Sequence, residues 1–250
     1  MNAIRFSGAL VVVALLAGCA SYRTPGGGVS IPEITTPSVA EALARKPAAV
    51  FPARIALVRV QAAGYASRTT QGYGYGAYSV VTTRDVETEA DFARIAAMPR
   101  VAAVGTLSRI LLPSTLHSAE DLRTAAAQLH ADVVLLYTFD TSFRTDTTQI
   151  GPLQLVSLGF FPNKKAHVST TCAAAFLDTR TGYVYGVSES TATEEQRSDV
   201  WNSEEALEKA RARAERAAFT AALGDIEKLW ASIAAQHEAG SGGAQVTATP

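Results

Sequence analysis

Residues 132–140 read Asp-Val-Val-Leu-Leu-Tyr-Thr-Phe-Asp, and this stretch restricts the fold more than any other. An extended strand over 133–137 is apolar on both faces, so other elements must cover it from both sides. Residues 54–60 repeat the pattern: a strand period puts Ile55, Leu57 and Arg59 on one face and Ala56, Val58 and Val60 on the other.

Helix signals lie between these strands. Thr88 and Asp91 have the spacing of a capping box and open a helix to about Met98, where Pro99 ends it. A second strand falls within 101–112, and Ser118 with Asp121 opens a helix over 119–131. The order to residue 140 is therefore β-α-β-α-β. Afterwards strand candidates follow one another. Residues 167–177 and 183–194 flank Asp178-Thr-Arg-Thr-Gly182 and read as an antiparallel hairpin, with a further strand at 153–158. Asn202 and Glu205 then open a long helix to about His237. On it Phe219, Leu223, Ile226, Trp230 and Ile233 make an apolar stripe, continued in earlier turns by Leu207, Ala210, Ala214, Ala217 and Ala221. The fold class expected is α+β: a mixed sheet with helices packed against it.

The first eighteen residues stand outside that fold. The apolar run 9–17 is far shorter than the roughly 20 residues a membrane-spanning helix needs. With Arg5 before it and small residues after it, residues 1–18 have the layout of a secretory signal peptide. Leu16-Ala17-Gly18-Cys19 resembles the lipobox of bacterial lipoproteins. That resemblance implies that Cys19 becomes the first mature residue and carries the acyl chains that anchor the protein in a membrane. With Ala20 rather than Asp after the cysteine, it further implies the outer membrane, facing the periplasm.

Residues 19–50 hold prolines at 25, 32, 37 and 47 and the run Gly26-Gly27-Gly28, and are expected to form a tether. A short helix interrupts it near 38–45, where Ser38 and Glu41 have capping-box spacing. The globular domain is expected over 51–238 and a disordered tail over 239–250. Hydrophobic residues at 48% against 18% charged residues exclude a disordered chain for most of the length. Without residues 1–18 the chain keeps 21 basic and 23 acidic side chains, and that balance argues against nucleic acid as a partner. Cys172 lies in the apolar run Cys-Ala-Ala-Ala-Phe-Leu and is expected as a small core residue rather than a reactive thiol.

No catalytic residue, cofactor or metal site is expected. The histidines at 117, 130, 167 and 237 have no metal-ligand spacing. There is no Gly-x-Ser-x-Gly elbow and no phosphate-binding loop, and Asp132, Asp140 and Asp146 are spread along one strand and beyond it. The feature that composition does not demand is the run Gly72-Tyr-Gly-Tyr-Gly-Ala-Tyr78, with Tyr65 nearby. Tyrosine supplies rigid contact area at low entropic cost, so Tyr73, Tyr75 and Tyr78 are candidate partner contacts; the alternative packs their rings on the sheet.

The stretches 51–60, 131–142 and 177–186 resemble the proteobacterial rhombotarget lipoproteins, and the likeness spans most of 50–235. The family name implies a Gly-Gly signal followed by an apolar helix and basic residues. Gly242-Gly243 is followed here by the short polar run 244–250, so that processing signal is expected to be absent. The functional expectation is a non-enzymatic, outer-membrane-anchored lipoprotein that binds or organises a periplasmic envelope protein. The alternative is a small-molecule or glycan-binding module of the cell envelope.

Overall fold

The computed structural model describes residues 26–35, 37–147, 164–197 and 204–242. Leu16 to Cys19, the strand expected at 153–158, the Asn202 cap and residues 243–250 lie outside the described residues.

Five strands make the central path. β1 (Ala53–Ala62) runs parallel to β6 (Val133–Thr147), which is followed by antiparallel β7 (Lys164–Asp178) and β8 (Val184–Arg197). On its other side β1 pairs with β3 (Tyr78–Val81), antiparallel, along its last four residues and with β4 (Val101–Thr106), parallel, along its first half. Two-residue strands β2 (Tyr75–Gly76) and β5 (Thr115–Leu116) pair apart from this six-stranded sheet. The fold is α+β with a mixed sheet, as the alternation of signals requires. Among the described residues β8 forms one margin of the sheet.

Helices close both faces. α3 (Glu89–Ala96) and α5 (Glu204–Gly242) lie on the side of Ile55, Leu57, Leu135, Cys172 and Phe176, where Ile95, Phe219, Leu223, Ile226 and Trp230 bury their side chains. α4 (Ala119–Gln128) lies on the side of Ala56, Val58, Val134, Leu136 and Leu177, meeting them through Leu122, Ala125 and Ala126. Residues 133–137 are thus covered on both faces, which is why both were apolar. Just past the end of α4, beyond the Leu129 cap, His130 has a φ of +54° and supplies the left-handed turn that usually falls to glycine.

Three expectations are corrected. In the earlier turns of α5 the buried stripe is Ala210, Ala214, Ala218 and Ala222, with Ala221 exposed and Ala217 and Leu207 half-buried, because a four-residue step continues the face of Phe219 and Leu223 best. The same helix runs to Gly242, four residues into the expected tail.

The larger correction concerns residues 26–50, which form a strap rather than a free tether. Gly27 C=O accepts the Ala62 N–H at 3.0 Å, and Val29 N–H donates to Thr138 Oγ1 at 3.1 Å. α1 (Ile31–Ile34) then buries Ile34, and α2 (Val39–Ala44) follows with the expected Ser38–Glu41 capping box. The strap ends where Ala48 N–H donates to Asp178 Oδ2 at 2.6 Å and Ala49 N–H to Tyr185 Oη at 3.1 Å. Its apolar residues Val29, Ile34 and Ala49 are the physical reason: each is at most 8% exposed, and proline alone does not keep a segment off a surface that buries such side chains.

Candidate functional site

The glycine- and tyrosine-rich run is held at the end of the sheet where β1 finishes. Tyr73 exchanges both backbone hydrogen bonds with Val80, Tyr75 N–H donates to Ser114 O at 2.8 Å, and Ala77 N–H to Leu116 O at 2.8 Å. Gly74 and Gly76 have φ of +94° and +111°. A β-carbon on Gly76 would lie 2.3 Å from the Leu116 backbone oxygen, so glycine is required there for close approach as well as for conformation. The run is therefore a shaped platform.

Its tyrosines divide. Tyr78 is fully buried and its hydroxyl donates to Ser118 O at 2.8 Å, which removes it from the expected contact surface: as the first residue of β3 it points into the core beneath α4. Tyr65 is also buried. Tyr73 is half-buried, its hydroxyl donating to Leu112 O at 3.3 Å. Tyr75 is 80% exposed. Beside it a 3₁₀ turn over Arg109–Leu111 leaves Ile110 86% exposed and sets the Arg109 guanidinium 5.9 Å from the Tyr73 ring centroid, a cation–π contact. Gln71, Tyr73, Tyr75, Thr83, Arg109 and Ser114 line an open groove of about 420 Å³, in which Arg109 is the one charged group among the described lining residues.

A second constellation lies inside the domain. Arg59, on the α5 face of β1, bonds Asp85 Oδ1 at 2.7 Å and Glu215 Oε2 at 3.2 Å, with Glu87 Oε1 at 3.8 Å. Arg211 of α5 bonds Glu208 Oε1 at 2.6 Å, Asp85 Oδ2 at 3.2 Å and Glu215. Both guanidinium side chains are 1% exposed. Tyr65 Oη accepts from Arg59 at 3.1 Å, and Tyr137 Oη donates to Glu87 Oε1 at 2.8 Å. Burial pushes Tyr65 up to about 12 and raises Glu215 despite its two arginines. Burial also acts to raise Asp85, but Arg59 and Arg211 outweigh it and hold that carboxyl low. The cluster's donors and acceptors are spent largely on one another, fastening α5 to β1 and to residues 85–87.

The remaining candidates are dispersed. Cys172 is fully buried, and burial pushes its thiol up to about 12, which suppresses the nucleophilic thiolate. Asp132 accepts the Arg54 N–H at 3.1 Å and meets Arg180 at 3.2 Å, a role in joining strands. Asp140 is exposed beside Gly27, and the side chain of Asp146 lies outside the described residues. His117 and His130 stand at the two ends of α4, His167 in β7, and His237 against the Phe51 ring at 4.3 Å. Among the described residues no group of histidine, cysteine or acidic side chains is placed to hold a metal ion, and no helix is long and apolar enough to cross a membrane.

Sequence reasoning missed the ion cluster. Its one local trace is the i, i+3, i+7 spacing of Glu208, Arg211 and Glu215; the partners Arg59 and Asp85 are more than a hundred residues away.

No family model matches the chain, and no curated protein does. Two solved bacterial structures are similar. One is XCC0632 from Xanthomonas campestris, of the family DUF330, at 13% identity and a TM-score of 0.30, covering 82% of this chain and 97% of that one. The other is the hypothetical protein CT253 from Chlamydia trachomatis, at 12% identity and a TM-score of 0.26, covering 69% and 96%.

Proposed function

We propose that this protein is a non-enzymatic lipoprotein, anchored through acylated Cys19 in the outer membrane and facing the periplasm, that binds an envelope protein in the groove of Tyr73, Tyr75 and Arg109. One observation carries the reading: Tyr75 stands 80% exposed on a backbone pinned by four hydrogen bonds to β3 and to residues 114–116. A large side chain held out on a rigid platform loses little entropy on contact, which is what a binding surface needs. Arg109 beside it adds a charge that selects for an acidic or carbonyl-rich partner surface. A groove of about 420 Å³ is also of a size that takes small ligands, so a glycan or small molecule is the second reading.

The test pairs two measurements on one variant, Tyr75→Ser with Arg109→Ser. Crosslinking to the partner in intact cells is expected to be lost, while the stability of the purified protein shifts by less than about 0.5 kcal/mol, as for exposed positions. Unchanged capture would remove the groove from the account. Separately, Cys19→Ala is expected to release the protein from the membrane fraction, and its retention there would overturn the anchor.

A further inference from the structure

The strap determines which end of the domain meets the membrane. It begins at Gly26, where a β-carbon would lie 3.1 Å from the Ala62 side chain at the last residue of β1, and ends at Ala48 and Ala49 against Asp178 and Tyr185 at the opposite end of the sheet. β1 has ten residues, so the two ends are separated by about 30 Å. The tyrosine groove shares the end of Gly26: Tyr65 N–H donates to Ala62 O at 3.1 Å, and Gly72 N–H to Tyr65 O at 2.9 Å. Only six residues lie between Cys19 and Gly26, and the seven chain steps from one to the other span at most about 25 Å when fully extended.

A free tether from 19 to 50 would let the domain tumble at any height. A packed strap leaves a leash shorter than the domain itself. We infer that the groove end faces the membrane within about 25 Å of its surface, and that the groove's partner is a protein embedded in that same membrane rather than a soluble periplasmic protein. This rests on the acylation of Cys19 and on the groove as contact surface. Two exposed apolar side chains, Tyr75 and Ile110, are too few for the groove to insert in lipid by itself, and a concave surface fixed by backbone hydrogen bonds suits a protein projection better than a flat headgroup layer.

Two measurements on the acylated full chain test this. Ala77 is exposed beside the groove, and Gln128 is exposed at the far end of α4, near Asp132 and the start of β6. In phospholipid vesicles, a fluorophore on Ala77→Cys is expected to transfer energy to headgroup acceptors far more strongly than one on Gln128→Cys, and inserting about twenty Gly/Ser residues between Arg23 and Thr24 is expected to level the two, because such a linker is a flexible coil. In cells, a photocrosslinker at Ala77 is expected to give a protein adduct whose yield falls about sevenfold with the same insertion, by the −3/2 power of leash length. A chain that partitions into vesicles yet transfers equally from both positions overturns the orientation alone. A chain that fails to partition overturns the anchor and the orientation together. An adduct yield indifferent to leash length points to a soluble partner, and an adduct with phospholipid only points to lipid; either overturns the membrane-protein partner.

Discussion

The two faces of the sheet are closed by different chemistry. Under α4, Val58, Val134 and Leu136 meet Leu122, Ala125 and Ala126, and contact there is apolar. Under the first half of α5, Arg59 meets Asp85, Glu215 and, through them, Arg211. Apolar burial is non-directional and tolerates sliding of a helix along a sheet. Paired ions in a dry interior do not, since a shift of a few ångströms leaves each charge without its partner. A helix of 39 residues lined by alanines at 210, 214, 218 and 222 offers several equivalent seats on the strands, and the ion cluster selects one. The shorter α4, with a capping box at its start and a left-handed residue just past its end, has its seat defined by its ends.

The comparison breaks most visibly at Arg59. Arg59→Leu is expected to cost about 3–5 kcal/mol, because it strands buried carboxylates, whereas Leu122→Ala on the other face costs about 2–4 kcal/mol from its cavity. The two differ in pH dependence. Without Arg59, burial lifts the folded-state pKa of Glu215 further above its unfolded value, so the penalty is full above that raised pKa and vanishes below the unfolded one. Urea unfolding at about pH 8 and about pH 5 is therefore expected to show the Arg59→Leu penalty shrinking in acid and the Leu122→Ala penalty constant. Equal behaviour of both variants would erase the distinction.

The next effect falls mainly on the α4 face, where Val29 and Ile34 pack. A chain beginning at residue 50 loses the burial of Val29 and Ile34, an expected loss of about 3 kcal/mol at roughly 1.5 kcal/mol or more for each side chain. Acid should loosen the same strap. Burial acts to raise Asp178, but the N–H groups of Thr181, Ala48 and Arg180 and the Tyr185 hydroxyl outweigh it and hold its pKa below the usual 3.8. Its contribution is present above that value and is lost as pH falls through the lowered one, which protease sensitivity of residues 26–50 would report.

The smallest effects separate two neighbours. Tyr78→Ser is expected to cost about 2–3 kcal/mol as a fully buried ring lost from the α4 face. Tyr75→Ser, three residues away, is expected to change stability by less than about 0.5 kcal/mol. A melt of both variants would show whether the boundary between core and contact surface runs between them.

Most of the sheet was legible because its signals are local. The apolar run 133–137, the Asp178–Gly182 turn, and the Thr88 and Ser118 caps all fall within the elements they predict. What was illegible is what depends on distant partners. β3 is a strand only because it pairs with β1, and nothing in Tyr-Ser-Val-Val tells its first ring to point inward after a glycine-rich turn. The strap reads as linker by its prolines, and its three buried apolar residues matter only once Thr138 and Asp178 are in place to receive its backbone. Of the candidate site, the exposed Tyr75 was foreseen as one of three tyrosines, while Arg109 was not, since it joins the groove only where a 3₁₀ turn more than thirty residues later sets its guanidinium over the Tyr73 ring.

β8 runs fourteen residues along the margin of the sheet with Val184 and Val187 exposed, the profile of a strand that recruits further strands and drives clumping. It also carries Glu189 and Glu194. A second molecule laid antiparallel against it would bring carboxylates toward carboxylates, and like charges opposed across a ladder repel. The margin thus has its own colloidal guard, set by ionisation rather than by shape. Neutralising those two glutamates would leave the domain folded and make its solution cloud.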